Sequence, residues 1–302
     1  MQSQAQYDEI LQFCKQFSTD VLNSDGNVIH GGRQPRCSDL EIIALSLYQE
    51  NLNMGSERYF FALLCKANPE LANKVGTLRN YNARRRRLAQ LMEEIRKKFV
   101  AQLNACYDSQ ILIVDSMPLP VCRYSRSNSS KIFKDTTLGC PTWGYCSAQQ
   151  EKYFGYKFHA VCSRYGVIQT YDLSPANVAD INYLKDISEL FSNCVLIGDK
   201  GYHSARYRQE LFDWAGIELA TPCKKNELLQ YSMPEDYMEI RKRIEVVFSQ
   251  LTDQFSIRKN YAKSQSGLHV RIISKITLHT LLQFINMKNK VEINHVRYTL
   301  AA

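Results

Sequence analysis

Two short apolar runs that both end in an aspartate constrain this chain more than any other feature. Residues 111–114 (ILIV) precede Asp115, and residues 195–198 (VLIG) precede Asp199. Short, continuously apolar runs are typical of strands that are buried on both faces. A polar residue that ends such a strand lies at the edge of the sheet. We therefore expect two buried strands that bring two carboxylates to one edge of a sheet.

A third carboxylate, Glu245, lies within a helical pattern. It flanks an apolar stripe formed by Tyr237, Ile240, Ile244, Val247, Phe248, Leu251 and Phe255. A stripe of this kind packs against a core, so Glu245 can face the sheet edge. Gathered carboxylates need cations. Mg²⁺ takes oxygen ligands, and a pair of metal ions promotes in-line phosphoryl transfer. The joint pattern predicts an enzyme that cuts or joins nucleic acid.

Each carboxylate also has a simpler interpretation. Asp115 and Asp199 are both followed by turn-forming residues, and a strand-end aspartate often caps a turn. Glu245 lies one helical turn after Arg241, and such a pair contributes only about 0.2–0.5 kcal/mol on a helix surface.

Charge and composition favour a polyanionic partner. The 302 residues carry a net charge of +8 and allow one large domain or two smaller ones. No apolar run approaches the roughly 18 residues of a membrane span, and the N-terminus lacks the features of a signal peptide. The ten cysteines include no CxxC pair, which indicates reduced thiols in a cytoplasmic protein. Cys140, Cys146 and His159 lack the spacing of a zinc ribbon or finger.

The first hundred residues predict helices. Ser38 and Glu41 form a capping box, and Thr77 caps a helix that we expect to run to about residue 100. Three helices with short connections resemble a helix-turn-helix module. We expect a helical DNA-binding module at 1–108 and a catalytic domain with a C-terminal helix at 109–302.

From residue 111 the pattern changes to strands. The order is three strands, helix, strand, helix, strand and helix, with residues 121–150 as a loop or small insertion. Because the first strands are close in sequence and helices follow only later, the fold class is α/β with a mixed sheet.

Six segments together resemble the DDE transposases of bacterial insertion sequences, and most of all the insertion sequence 982 family. They are ILIVDSMPLPVC, YFGYKFHAV, SPANVADINYL, VLIGDKGYHS, TPCKKN and RKRIEVVFSQL. The resemblance implies an RNase H-like catalytic core in which Asp115, Asp199 and Glu245 bind two Mg²⁺ or Mn²⁺ ions. It also implies cleavage at the ends of an insertion sequence and strand transfer into target DNA.

The resemblance has local departures. Arg241 matches a Tyr/Arg/Glu/Lys cluster of related transposases, but Tyr237 lies one residue too early for its tyrosine. Thr252 stands where that cluster has a basic residue, which puts the DNA contact of that turn in doubt.

Four residues near the carboxylates are candidate DNA contacts. Lys157 and His159 share a strand face, which either contacts phosphate or is the solvated side of an edge strand. Lys200 follows Asp199 and is placed to contact the scissile backbone. For Arg241 we favour a grip on a DNA phosphate, because a planar guanidinium suits that geometry.

A second group of candidate DNA contacts lies on the helix that Thr77 caps: Arg79, Asn80, Asn82, Arg84, Arg85, Arg86 and Arg87. Four consecutive arginines project from more than one helix face. They either form a solvated, salt-bridged helix or contact phosphates along a groove. Arg79, Asn80 and Asn82 are of the types that recognise guanine and adenine edges.

Three alternatives remain beside a transposase. An RNase H-like nuclease or resolvase that only hydrolyses DNA has the same carboxylates. A DNA-binding regulator would need only the helical module. A covalent role for Tyr202 lacks the accompanying Arg/His/Arg set. The expected partner is double-stranded DNA, namely the terminal inverted repeats and target DNA. The expected assembly is a dimer on the nucleoid of a bacterial or archaeal cell, away from membranes.

Overall fold

The computed structural model describes residues 2–18, 20–29, 31–133, 139–147, 149–223 and 233–300. The chain divides into two compact units. We call Met1–Gln102 with Leu251–Ala302 the helical unit, and Leu103–Gln250 the sheet unit. Residues 224–226 of the TPCKKN segment lie outside the described residues.

The described helices and strands follow the predicted order except that β2 is added between the first two predicted strands and that six helices, not three, precede β1. The helices are α1 Gln2–Gln16, α2 Asp39–Asn51, α3 Glu57–Ala67, α4 Pro69–Val75, α5 Leu78–Arg87, α6 Ala89–Cys106, α7 Leu184–Leu190, α8 Ala205–Ala215, α9 Glu235–Asp253 and α10 Gln265–Lys288. The strands are β1 Ile111–Pro120, β2 Thr142–Cys146, β3 Glu151–Ser163, β4 Ile168–Pro175, β5 Val195–Ile197 and β6 Glu218–Ala220. The prediction of a mixed α/β fold with a helical N-terminal region is confirmed.

The sheet has six strands in the order β2-β3-β1-β5-β6, with β4 also paired to β3. β3 runs antiparallel to β1, β2 and β4. β5 runs parallel to β1, and β6 runs parallel to β5. Short antiparallel connections therefore build one half of the sheet, and crossovers through α7 and α8 build the other half.

Side chains of β1 alternate between two cores, as the period of a strand requires. Leu112 and Val114 face a cluster that also holds Leu184 and Leu211 from α7 and α8. Ile113 faces the opposite way and packs against Ile244 of α9. Both faces of this strand are thus buried, which explains its continuously apolar sequence.

Two predicted helix starts occur at the expected residues. The Ser38 hydroxyl accepts a hydrogen bond from the Glu41 amide at 3.1 Å, and the Glu41 carboxylate accepts one from the Ser38 amide. The Thr77 hydroxyl accepts from the Asn80 amide at 3.1 Å. These bonds satisfy amide groups that a helix start leaves without partners inside the helix.

Two local predictions differ from the structure. The helix that Thr77 caps ends at Arg87, and α6 begins at Ala89. The chain bends at Leu88, where no glycine or proline marks a break. Residues 121–150 contain a strand, β2, and a 3₁₀ helix, Tyr124–Ser129. Their Ser- and Gly-rich composition hid both elements.

The helical unit is built around α10, which is buried along most of its length and packs against α2 and α5. The buried residues of α10 include the charged Arg271 and Lys275, which pair with Glu57 and Glu50 of the N-terminal helices. The contacts therefore group residues 251–302 with the N-terminal helices, whereas the predicted ranges grouped them with the sheet. No helix in the described part of the chain is long and apolar enough to span a membrane.

Candidate active site

Asp115 and Asp199 lie just beyond the parallel pairing of two neighbouring strands. Asp199 follows the last residue of β5 by two positions. The prediction that Asp115 ends its strand is wrong, because β1 continues to Pro120 in antiparallel pairing with β3. β1 pairs with β5 at Ile111–Val195, Leu112–Leu196 and Ile113–Ile197. Asp115 lies two residues after Ile113, and Asp199 lies two residues after Ile197. Because side chains alternate along an extended chain, the two carboxylates share a level of the sheet and the face of Ile113 and Ile197.

Helix α9 covers that same face. Ile113 packs with Ile244, and the partly buried Ile240 and Phe248 join the cluster. Ile197 packs with Met233, beside Tyr237 and Ile240. Glu245 is the neighbour of the buried Ile244, and its side chain is 54 % exposed. The three predicted carboxylates therefore share one side of the sheet, with the aspartates under the helix and Glu245 at its open flank.

Arg241 binds Glu245 in this structure. A guanidinium nitrogen lies 3.0 Å from a Glu245 carboxylate oxygen, one helical turn away. Burial raises the pKa of Asp115, and the positive charge of Arg241 opposes part of this rise, so Arg241 acts on both carboxylates. The structure thus contains the ion pair between Arg241 and Glu245, which was the simpler interpretation of the sequence. The phosphate contact of Arg241 stays a prediction.

Asp115 is held in a strongly perturbed environment. Burial raises the pKa of its carboxyl to about 7, and a hydrogen bond from the Ser116 amide opposes this rise. The negative charges of Asp199 and Asp180 add to it. Like charges that crowd a partly buried carboxylate are a frequent mark of functional sites.

Asp180, the first residue of a short 3₁₀ helix before α7, also lies beside these carboxylates. Its carboxylate accepts a hydrogen bond from the Ser116 hydroxyl at 2.8 Å and pairs with the Lys157 ammonium at 3.0 Å. Ser116 directly follows Asp115, so Asp180 ties the middle of β1 to the segment before α7. The sequence offers little indication of this contact, because an aspartate just ahead of a helix is common.

Lys157 and His159 are engaged inside the sheet unit. The Lys157 ammonium donates to the Val178 carbonyl as well as to Asp180. His159 is buried, and its Nε2 lies 2.8 Å from the Ser174 hydroxyl. Burial lowers the pKa of this histidine to about 4, so its ring is neutral near pH 7. This geometry does not fit a charged phosphate contact by His159, and it gives Lys157 a partner within the protein.

Lys200 and Tyr202 lie in the turn after β5. Lys200 is exposed next to Asp199, whose carboxylate caps the turn by accepting from the Gly201 amide at 2.7 Å. Tyr202 is buried, and burial with nearby carboxylates raises the pKa of its phenol well above the usual value. A buried, protonated phenol does not suit a nucleophile. Lys200 is accessible to a ligand.

The predicted basic helix separates into buried and exposed arginines. Arg84 pairs with Asp39 at 2.6 Å, and both side chains are buried. Arg85 lies within 3.7 Å of Glu50 and within 3.6 Å of Glu57. These contacts do not fit the phosphate contacts predicted for Arg84 and Arg85, because the helix turns both guanidinium groups into the helical unit.

The other members of that helix differ in accessibility. Arg79, Arg86 and Arg87 are exposed, and Asn82 is half-buried. The Asn80 amide donates to the Val75 carbonyl at 2.7 Å, so its side chain is used locally.

The donor chemistry of the carboxylates suits a hard divalent cation, since all three supply only oxygen. No group of three or more potential metal ligands is close enough together to hold an ion within the described ranges. Asp115 and Asp199 fit as a pair of ligands. Glu245, as observed, binds Arg241 instead.

Two neighbouring aspartates beneath a helix that carries a glutamate agree with the pattern expected of a carboxylate enzyme of the phosphoryl-transfer type. The family model described as "Transposase DDE domain" matches residues 107–281. The chain therefore belongs to the family of transposases with a DDE domain, and it is a DNA transposase. Transposases of this family generally use divalent metal ions.

Two further comparisons add little. A solved structure described as the Mos1 mariner paired end complex with Mn is similar to this chain at 13 % identity, covering 91 % of this chain and 84 % of that chain. The TM-score is 0.22, and we draw no conclusion from that likeness. No curated protein matches the chain.

Proposed function

We propose that this transposase cuts DNA at the ends of an insertion sequence and joins the resulting 3′-hydroxyl ends to target DNA, with Asp115, Asp199 and Glu245 as its catalytic carboxylates. The observation that carries this proposal is the parallel register of β1 and β5, which sets Asp115 beside Asp199 on the face that α9 covers. We place the chain, on its sequence motifs, in the insertion sequence 982 family.

We propose Mg²⁺ or Mn²⁺ as cofactor, with two ions held by Asp115, Asp199 and Glu245. Bound there, the ions would activate the attacking hydroxyl and stabilise the leaving 3′-oxygen. The crowding of Asp115 by the charges of Asp199 and Asp180 supports a need for cations. Glu245 would have to exchange the guanidinium of Arg241 for metal, which frees Arg241 to bind a DNA phosphate.

The residues around the carboxylates have separable roles in this proposal. Asp180 positions β1 through Ser116, and Lys157 neutralises Asp180. Lys200 is exposed beside Asp199 and contacts the DNA backbone near the cut. Arg84, Arg85 and His159 are buried and have no DNA contact in the proposal.

We propose that the N-terminal helices recognise the terminal repeats as a helix-turn-helix-like module within residues 1–108. The exposed Arg79, Arg86 and Arg87 would contact phosphates, and Asn82 a base edge. The mixed sheet supports an RNase H-like core. On one side of β1, β3 runs antiparallel both to β1 and to β4, and on the other side β5 and β6 run parallel to β1. Double-stranded DNA is the partner, and a dimer on DNA in the nucleoid is the proposed assembly.

Asp199→Asn tests the catalytic assignment, because it removes a charge and keeps the side-chain shape. We expect strand transfer on DNA that carries the element ends to fall to background, with DNA binding and thermal stability retained. Asp213→Asn, a change of the same kind at an exposed position on α8, should keep full activity. The assignment is wrong if Asp199→Asn still cleaves, or if the wild-type protein is fully active in EDTA.

The same assay separates the two rival functions. A nuclease or resolvase that only hydrolyses would release cut ends and form no joined product. A DNA-binding regulator would do neither and would bind equally well in the Asp199→Asn variant.

A further inference from the structure

Two aromatic side chains project from the edge strand of the sheet unit. Trp143 and Tyr145 lie two residues apart on β2, so they point to the same face. They are 52 % and 58 % exposed. Their partners on β3 are Phe154 and Lys152, respectively, and directly paired residues of antiparallel strands share a face. We call Trp143, Tyr145, Lys152 and Phe154 the aromatic platform.

The indole of Trp143 is held in place although half of it is exposed. Its ring centroid lies 5.1 Å from that of the buried Phe154. Its Nε1–H donates to the Ser127 hydroxyl at 3.1 Å. Both contacts use one side and one edge of the indole. A ring fixed in this way loses little conformational entropy when a flat partner stacks on it.

The surroundings of the platform are basic. Lys152 is exposed beside Tyr145, and Arg123 and Arg126 are exposed on the segment that contains Ser127. In the described part of this segment and of β2 and β3, Glu151 is the exposed acidic residue. Positive charge with open aromatic rings is complementary to a nucleic acid strand, whose backbone is anionic and whose bases have π faces.

The platform lies on the same face of the sheet as the catalytic carboxylates. Asp115 pairs with Ala160 of β3. Phe154 lies six positions before Ala160 on the same strand, so the two side chains point to the same face. Phe158, between them, packs against Phe248 of α9 at 6.1 Å between ring centroids. The platform is therefore about 20 Å from Asp115 along β3, at roughly 3.3 Å per residue.

We propose that the aromatic platform binds unpaired bases of a DNA strand by stacking them on Trp143 and Tyr145, while Lys152, Arg123 and Arg126 contact the phosphates. Bases within a duplex have both faces covered by their neighbours, so the platform selects strands that are already open. This inference rests on the proposal that DNA is the substrate of the same face. It goes beyond the carboxylate chemistry, which requires no stacking surface.

The chain contains two tryptophans, and the second provides a matched control. Trp214 is on α8 and is 84 % exposed. In the full-length variant Trp214→Phe, Trp143 is the sole tryptophan, and in Trp143→Phe the sole tryptophan is Trp214. Each variant is titrated with single-stranded oligothymidylate and with a duplex of equal length, and tryptophan fluorescence is recorded.

We expect the single strand to quench the fluorescence of Trp214→Phe and to leave that of Trp143→Phe unchanged. Trp143→Ala should weaken binding of the single strand by about fivefold to 150-fold, as loss of one stacked base does. Trp214→Ala should bind as wild type does. Circular dichroism of all four variants should match the wild type, since both tryptophans are at the surface.

Three outcomes would overturn the inference. The first is absence of quenching in Trp214→Phe, and the second is equal quenching of both tryptophans. The third is a dimer that dissociates in Trp143→Ala while oligonucleotide binding is unaffected, because the edge strand would then pair two copies of this chain. The Asp199→Asn variant separates this inference from the proposed function, since it should lose strand transfer and still show the quenching.

Discussion

In the helical unit, charged side chains are buried and matched with opposite charges, whereas in the sheet unit like charges gather at the edge of the sheet. Glu50 pairs with Lys275 and lies near Arg85, and all three side chains are buried. Asp115 instead has the carboxylates of Asp199 and Asp180 as neighbours. Losing one partner of the first arrangement would leave a buried charge unpaired, and the second arrangement raises the free energy of the folded protein unless a cation neutralises it.

This comparison shows that a run of basic residues in the sequence is weak evidence for a DNA-binding surface. Four consecutive arginines attract attention as a DNA-binding signal, yet Arg84 and Arg85 belong to the interior of the helical unit. Arg271 likewise pairs with Glu57. The location of a functional site is better indicated by charges that are left unbalanced than by the number of charges.

The largest effect is expected from Arg85→Ala. Removing one partner of a buried ion pair costs about 3–5 kcal/mol of unfolding free energy, because the other charges stay buried. Arg86→Ala, the adjacent and exposed change, should stay within about 0.5 kcal/mol of the wild type. Urea unfolding followed by circular dichroism measures both. Equal losses in the two variants would remove the contrast between buried and exposed arginines.

The next effect concerns the pH dependence of stability in the sheet unit. The pKa of Asp115 is raised from 3.8 to about 7, so the folded protein holds a proton that the unfolded chain has released. Stability should therefore fall as the pH rises from about 4 to about 7, by less than roughly 4 kcal/mol, since each pKa unit is worth about 1.4 kcal/mol.

Asp115→Asn should abolish this part of the pH dependence and be more stable than the wild type at pH 8. Its amide oxygen can still accept the hydrogen bond from the Ser116 amide. Thermal unfolding across this pH range is the measurement, and Asp213→Asn is the control that should keep the wild-type slope. An unchanged slope in Asp115→Asn would show that burial does not raise the pKa of Asp115.

Arg241 should have a small effect on stability and a larger one on activity. Its pair with Glu245 is partly exposed and lies on one helix, so losing it costs about 0.3–0.5 kcal/mol. If Arg241 grips a phosphate once Glu245 binds metal, Arg241→Lys should restore only part of the strand-transfer rate that Arg241→Ala loses. Losses of several kcal/mol in both variants would instead make Arg241 a structural partner of Glu245.

The smallest effect is expected for the exposed arginines of α5. Arg86→Ala and Arg87→Ala should each weaken DNA binding on all sequences. Each should also reduce the slope of log K against log salt by about 0.9, as loss of one phosphate contact does. Lys97→Ala, at an exposed position on α6, is the comparison. A slope that stays at the wild-type value in both variants would exclude these residues from the DNA contact.

These expectations also bear on how the chain can be divided. A fragment of residues 1 to about 105 was a natural choice from the sequence for a separate DNA-binding module. The buried helix α10 packs on α2 and α5, so that fragment would expose the apolar surfaces that α10 covers. DNA-binding measurements are therefore best made on the full chain.

The sequence by itself predicted most of the helices and strands, and it is the source of the proposal for the three carboxylates. Buried strands, capped helices and the apolar stripe of α9 are visible as local sequence patterns. Such patterns follow from the backbone geometry of helices and strands, which fixes the spacing of side chains on one face. The two apolar runs before Asp115 and Asp199 predicted buried strands for this reason, and the parallel register of those strands then set both residues on one face.

Only the tertiary structure decided which charged residues are available. The burial of Arg84, Arg85 and His159, the pairing of Arg241 with Glu245 and the link from Asp180 to Ser116 all join residues through the folded chain. The strand β2 and its exposed Trp143 likewise depend on pairing with β3. The physical reason is that the charge and accessibility of a side chain depend on its neighbours in space, which a period along the sequence does not specify.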